Sequence, residues 1–190
     1  MNEQKCRLFD RLCQDSILLQ AWNAVRRKGS TGGIDYMSVG AFEQCSDVYL
    51  KEIKQNLESR RWTPKPYLRI SIPKKGNERR SLGLLTVTDK VVQQAIKLVI
   101  EPIFEKMFVS NSYGYRQGKG HIDAVRFADV CFRNRKMKYV LRLDIDNYFD
   151  TIDHKILFDN LAEVIDDEEV LRLIQLCVKM GGCKQAIRME

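Results

Sequence analysis

At 190 residues, 44% hydrophobic and 30% charged, the chain has the composition of a soluble globular protein, with room for one cored domain or two small lobes sharing a boundary. No run of about 18 apolar residues occurs and the polar start MNEQKCRLFD lacks a secretory signal, which excludes a membrane-spanning helix and points to the cytoplasm. A net charge of +7 suggests a polyanionic partner such as nucleic acid, and the six cysteines, with no CxxC pair and no Cys/His cluster, argue against structural zinc.

Residues 5–27 read as a helix, with Leu8, Leu12, Ile17, Leu18 and Trp22 at helical spacing. KGSTGG at 28–33 breaks it, and a second helix is expected over 39–59 through Phe42, Val48, Leu50, Ile53 and Leu57. Pro64 and Pro66 then force extended chain. In YLRISIP, Leu68, Ile70 and Ile72 alternate with Arg69 and Ser71, the two-residue period of a half-buried strand. The polar KKGNER and the apolar RSLGLL complete a hairpin whose tip is basic. Arg60, Arg61, Lys65, Arg69, Lys74, Lys75, Arg79 and Arg80 crowd this stretch, with Glu78 as the only acid among them. Thr88 is placed to cap a helix running toward Pro102. After NSYGYRQGKG come a helix over 121–134 and a buried strand, MKYVLRLDI. Two more helices are expected, over 153–161 and 167–180, the second stopped by Gly181 and Gly182.

The strongest chemical signal is RLDIDNYFDTIDH at 142–154, where an apolar strand delivers Asp144 at its carboxyl end. Carboxylates so placed suit Mg²⁺, a hard cation that takes oxygen ligands and accompanies phosphates. An isolated Asp-x-Asp is more often a helix cap or a solvated strand end, and Asp150 and Asp153 fit that role well. The upstream basic hairpin changes the weighing, because cations facing a metal-bearing carboxylate are what a nucleoside triphosphate requires. A phosphatase using Asp144 as nucleophile and Asp146 as acid is disfavoured, since Tyr148 stands where such enzymes usually carry Thr.

Four blocks in order resemble the group II intron-like reverse transcriptases, over most of the chain from Gly29 to Gly182. KGSTGGIDYMSV is similar to the N-terminal extension motif NKGxxGxDG, and IPKKGNERRSLGLLTVTDKVVQQA to the first fingers block with the helix behind it. FVSNSYGYRQGKGHIDAV resembles SxGFRPGRSxHDA, and DIDNYFDTIDH resembles DIxGFFDxIDH. The resemblance implies a helix-rich α/β (α+β) fold, the fingers and truncated palm of a right-hand polymerase. It divides the chain into an N-terminal helical extension (1–35), fingers (36–135) and a partial palm (136–190).

It further implies that Asp144 is catalytic and, with the carbonyl of Ile145, binds Mg²⁺. Lys74 or Lys75 and Arg80 would grip the incoming triphosphate, and Phe149 would press on its sugar. Arg69, Arg79 and Arg116 would lie along nucleic acid. The implied partners are RNA template, DNA or RNA primer and dNTPs, with no membrane. The family's YxDD turn, which bears its other aspartates, is not in the sequence, so the chain alone is expected to be inactive. A homo-oligomer or a complementing palm and thumb segment is the expected completion. LIQLCVKMGGC leans toward a CRISPR-associated member. The competing reading is a noncatalytic RNA-binding module of the same fold. Asn147 and Tyr36 replace usual glycines, Gln117 a usual proline and Leu85 a common one.

Overall fold

The computed structural model describes residues 7–29, 31–73, 79–133 and 137–184. Its centre is α5 (Val87–Glu105), whose Val87, Val91, Val92, Ala95, Ile96 and Val99 are all buried. The three-to-four residue spacing of these side chains puts them on one stripe, and the stripe packs chiefly against α2 (Asp15–Lys28). Thr86, not Thr88, caps α5: its hydroxyl accepts from the Asp89 N–H at 3.1 Å. The apolar phase decides between the two threonines, since starting two residues later would strand Val87 outside the helix. The helix continues past Pro102 to Glu105; a proline so near the C-terminus forfeits only one late hydrogen bond.

The expected first helix is two, α1 (Leu8–Leu12) and α2, because Gln14 is extended (φ −66°, ψ 138°). The second expectation also divides, at Cys45, into α3 (Val39–Gln44) and α4 (Ser46–Glu58). Both breaks let short helices turn an apolar face inward: Leu12, Leu18, Trp22, Phe42, Ile53 and Leu57 join one cluster with α5. Phe42 stacks on Tyr49 at 4.8 Å and meets Trp22 at 4.5 Å.

The hairpin forms as expected. β1 (Tyr67–Pro73) runs antiparallel to β2 (Arg79–Leu84), pairing Leu68 with Leu84, Ile70 with Leu82 and Ile72 with Arg80. A third strand, β3 (Gly182–Lys184), was not expected; it joins the free edge of β1 in parallel, Tyr67 opposite Gly182. The Tyr67 ring covers both Gly83 and Gly182, where any Cβ would collide with it. Gly182, one of the two glycines that follow the preceding helix, thus also lets the chain pass beneath that ring.

The remaining helices are α6 (His121–Arg133), α7 (Tyr148–Thr151), α8 (His154–Val164) and α9 (Glu168–Val178). Asp153 caps α8 by accepting from Ile156 N–H at 3.0 Å. Asp167 caps α9 and also accepts from Phe9 N–H at 2.9 Å, which fastens the C-terminal part of the chain to the N-terminal helices. With Val170 and Leu173 buried and α9 packed on α5 and α1, segments from both ends share one core.

MKYVLRLDI is not a strand. Residues 137–145 carry no regular structure and are exposed, Val140 by 72%, Leu141 by 81%, Leu143 by 82% and Ile145 by 68%. The composition favours β structure, but a strand exists only as a member of a hydrogen-bonded ladder, and none of the described residues pairs with this segment. Among the described residues no helix is long and apolar enough to cross a membrane.

Candidate functional site

The loop at 31–37 is fixed from three sides. Gly33 lies so close to the backbone of Leu85 and Thr86 that an added Cβ would meet Thr86 N at 2.5 Å, so only glycine fits without a shift. Lys90 Nζ donates to the Thr31 carbonyl at 2.5 Å, and Asp35 accepts from Met37 N–H at 3.3 Å while pairing with Lys65 at 3.6 Å. The Gly-rich loop therefore ties the entry of the hairpin to the N-terminus of α5. Tyr36 takes up the left-handed conformation (φ 55°) in this loop, with its side chain 75% exposed. A non-glycine residue there is strained by about 1–2 kcal/mol, partly offset by the smaller entropy it loses on folding. Tyr36→Gly is therefore expected to stabilise the protein by roughly 0.5–1 kcal/mol, read as a rise in the urea midpoint at unchanged slope.

Asp89 sits behind this loop, 2% exposed. Its carboxylate accepts from the Thr86 hydroxyl at 2.7 Å and from Lys65 N–H at 3.2 Å, joining hairpin and helix. Burial pushes its pKa above the ordinary carboxylate value, against the lowering effect of those two hydrogen bonds. A carboxyl raised in the folded state contributes most below its unfolded pKa, and that contribution is lost as pH rises through the folded value. Asp89→Asn keeps an acceptor without the charge, so it is expected to hold or raise stability at neutral pH and to flatten the acid side of the profile. Asp89→Ala strands two donors and is expected to cost about 1–3 kcal/mol; chemical denaturation of both variants between pH 4 and about 8 measures this. A cavity of about 320 Å³ opens beside Asp35, Lys65, Thr86 and Asp89.

On the hairpin, side chains alternate between faces. Arg69 and Arg79 share one face with Tyr67 and Ser71, whereas Arg80 follows Ile72 and Leu82 on the other. The basic cluster of the sequence is therefore divided by the sheet. Arg69 donates to the Tyr67 hydroxyl at 2.9 Å and lies 5.7 Å from the ring centroid. Arg79 donates to the Ser71 hydroxyl at 2.8 Å and the Ser71 carbonyl at 3.1 Å. Arg69, Arg79 and Arg80 all remain exposed. Lys74 and Lys75 fall outside the described residues, and with them the hairpin tip and its spacing from Asp144.

Arg116 is differently placed. Its side chain is 6% exposed and forks onto Glu105 at 2.5 and 3.1 Å, with further bonds to the carbonyls of Val109 at 2.7 Å and Ser112 at 3.0 Å. The guanidinium also lies 5.3 Å from the Phe108 ring centroid. These partners organise the turn between α5 and α6 and leave little of the cation facing outward.

Asp144 and Ile145 are exposed on the irregular segment, and Asn147 turns the chain into α7 with φ 46° and ψ 38°. That left-handed conformation explains the departure from the usual glycine, since asparagine is among the few other residues that visit it routinely. The turn carries Phe149 outward, 80% exposed, its ring edge-on to Tyr148 at 5.6 Å. Asp144, Ile145 and Phe149 are thus brought onto one short exposed stretch. The oxygens of Asp144 and Ile145 are of the kind Mg²⁺ takes, yet among the described residues no group of three His, Cys, Asp or Glu side chains is gathered for a metal.

Comparison with known proteins finds a family profile described as reverse transcriptase (RNA-dependent DNA polymerase), matching residues 72–189. The group II intron-encoded protein LtrA of Lactococcus lactis subsp. cremoris is 31% identical over 184 residues, 95% of this chain and 30% of that protein. Protein YkfC of Escherichia coli K12 is 30% identical over 155 residues, 80% of this chain and 40% of that protein. The chain therefore spans well under half the length of these relatives. Among solved structures, a partial Cas6-RT-Cas1–Cas2 complex shares the fold with a TM-score of 0.58 at 20% identity, over 91% of this chain and 28% of that one.

Proposed function

Because this chain belongs to the reverse transcriptase family, we propose that it supplies the fingers and the first metal-binding aspartate of an RNA-directed DNA polymerase. The observation that carries this reading is the exposed stretch from Asp144 to Phe149, where a left-handed turn sets an aromatic ring a few residues beyond a carboxylate. In that role Asp144 and the Ile145 carbonyl would hold Mg²⁺, Phe149 would bear on the sugar of a dNTP, and Lys74 or Lys75 with Arg80 would neutralise its phosphates. Arg69 and Arg79, on the opposite face of the hairpin from Arg80, would follow the RNA template or the primer. When bound, the metal supplies activation of the primer hydroxyl and neutralisation of the leaving pyrophosphate.

One carboxylate and one carbonyl are a small part of an octahedral oxygen shell, so the 190-residue chain is proposed to be inactive alone and to need further carboxylates. Primer extension on an RNA template with labelled dNTPs and Mg²⁺ tests this. No extended product is expected from the chain by itself, and product made by the purified chain would overturn the division of labour.

A further inference from the structure

We infer that Asp89 is a positioning residue for the basic hairpin: one carboxylate oxygen holds both ends of the β1–β2 unit against α5, and so sets where Arg69, Arg79 and Arg80 stand relative to the helices. The inference rests on the reading in which those cations meet nucleic acid and a triphosphate. A ladder fixes two strands to each other and leaves their direction relative to the rest of the molecule open. Here the pairing ends at Leu68 with Leu84, so direction is decided in the short segments that join the hairpin to the helices. Lys65, two residues before β1, donates its N–H to Asp89 Oδ2 at 3.2 Å. Thr86, two residues after β2, donates its hydroxyl to the same oxygen at 2.7 Å. That oxygen belongs to the first turn of α5, whose apolar stripe lies in the central cluster, so both ends of the hairpin are tied to a helix anchored in the core.

Helix capping alone does not explain this geometry. In a capping box the acidic side chain at this position turns back to the N–H of the capping residue. The Asp89 N–H does meet the Thr86 hydroxyl at 3.1 Å, but the Asp89 carboxylate reaches across 24 residues of sequence to Lys65. Burying the acid is unfavourable enough to raise its pKa, and a cap needs no such burial. The Gly-rich loop reinforces the same junction, with Asp35 paired to the Lys65 ammonium at 3.6 Å and the Gly33 backbone abutting Thr86. Every group that makes the junction lies between residues 33 and 89, and Thr86 and Asp89 are already closed off from solvent, so the arrangement is complete within the described residues.

Titration of the purified 190-residue chain with a fluorescently labelled RNA template annealed to a DNA primer tests this, at a temperature where circular dichroism shows every variant folded. Under those conditions lost stability alone does not change affinity. Asp89→Ala should bind about ten-fold more weakly at fixed salt, with a smaller salt slope, whereas Asp89→Asn, which keeps an oxygen acceptor, should stay within about two-fold of the parent. Lys65→Pro against Lys65→Ala reads the same contact without touching α5, since both lack the ammonium and only proline also lacks the N–H. The proline variant should be the weaker of the two by about ten-fold. In an Arg69→Ala, Arg79→Ala background the Asp89→Ala effect should fall below about two-fold, because the cations it positions are gone. Four results would each overturn the inference: parental affinity in a folded Asp89→Ala protein, an Asp89→Asn protein as weak as Asp89→Ala, equal binding by the two Lys65 variants, or an undiminished Asp89→Ala effect without Arg69 and Arg79. Parental binding by the Arg69→Ala, Arg79→Ala protein would overturn the hairpin's RNA role itself, and the inference with it.

Discussion

In an assembly that holds the further carboxylates, replacing Asp144 by alanine is expected to reduce primer extension on the order of 10³-fold or more while leaving RNA binding nearly intact. A carboxylate that would hold Mg²⁺ at the reacting phosphate would act in the transition state, whereas affinity for RNA would come from cations on the hairpin. Asp153→Ala is the internal contrast. Asp153 caps α8 by accepting from Ile156 N–H, so its loss should cost about 1 kcal/mol of stability and little of the chemistry. Equal loss from both variants would point to unfolding, and an Asp144→Ala protein that still polymerises would favour the noncatalytic RNA-binding reading. Steady-state extension rates and filter binding at fixed salt separate these outcomes.

The elements legible in the sequence were those whose signal is local. Alternation in YLRISIP gave β1, and Asp153 and Asp167, each standing before an apolar helical run, marked the starts of α8 and α9. Breaks at Cys13–Gln14 and Cys45 were not legible, because apolar spacing continues through both while the backbone turns to reach α5. β3 is not legible because Gly-Cys-Lys carries no alternation; what defines it is its parallel pairing with β1, which Gly182 permits beneath the Tyr67 ring. For 137–145 the local signal points to a strand that does not form. Propensity is a property of the segment, but strand structure belongs to a pair, and this chain offers that segment no partner among its described residues. The candidate site divides along the same line. The order of Asp144, Ile145 and Phe149 was readable, whereas the split of Arg79 from Arg80 required the register.

Arg116 and Arg69, both assigned to nucleic acid by resemblance, are expected to part company on mutation. Arg116→Ala should lower the melting temperature by roughly 5–10 °C, because it removes the fork on Glu105 and strands the carbonyls of Val109 and Ser112. Arg116→Lys should recover little, as an ammonium cannot reproduce a bidentate planar fork. The hydrogen bond from Arg116 holds the Glu105 carboxyl below its ordinary pKa. A depressed carboxyl contributes stability above its unfolded pKa and loses it as pH falls through the folded value, so parent and Arg116→Ala should converge in acid. Arg69→Ala should instead leave melting unchanged and lower RNA affinity, reducing the salt slope by about 1. Arg69 can do so because, among the described residues, its hydrogen bond goes to the neutral Tyr67 hydroxyl, which an RNA phosphate can outcompete. Thermal melts and RNA titrations at two salt concentrations on the same four proteins decide the matter. An Arg116→Ala protein with parental melting and weakened RNA binding would return that guanidinium to the nucleic-acid surface.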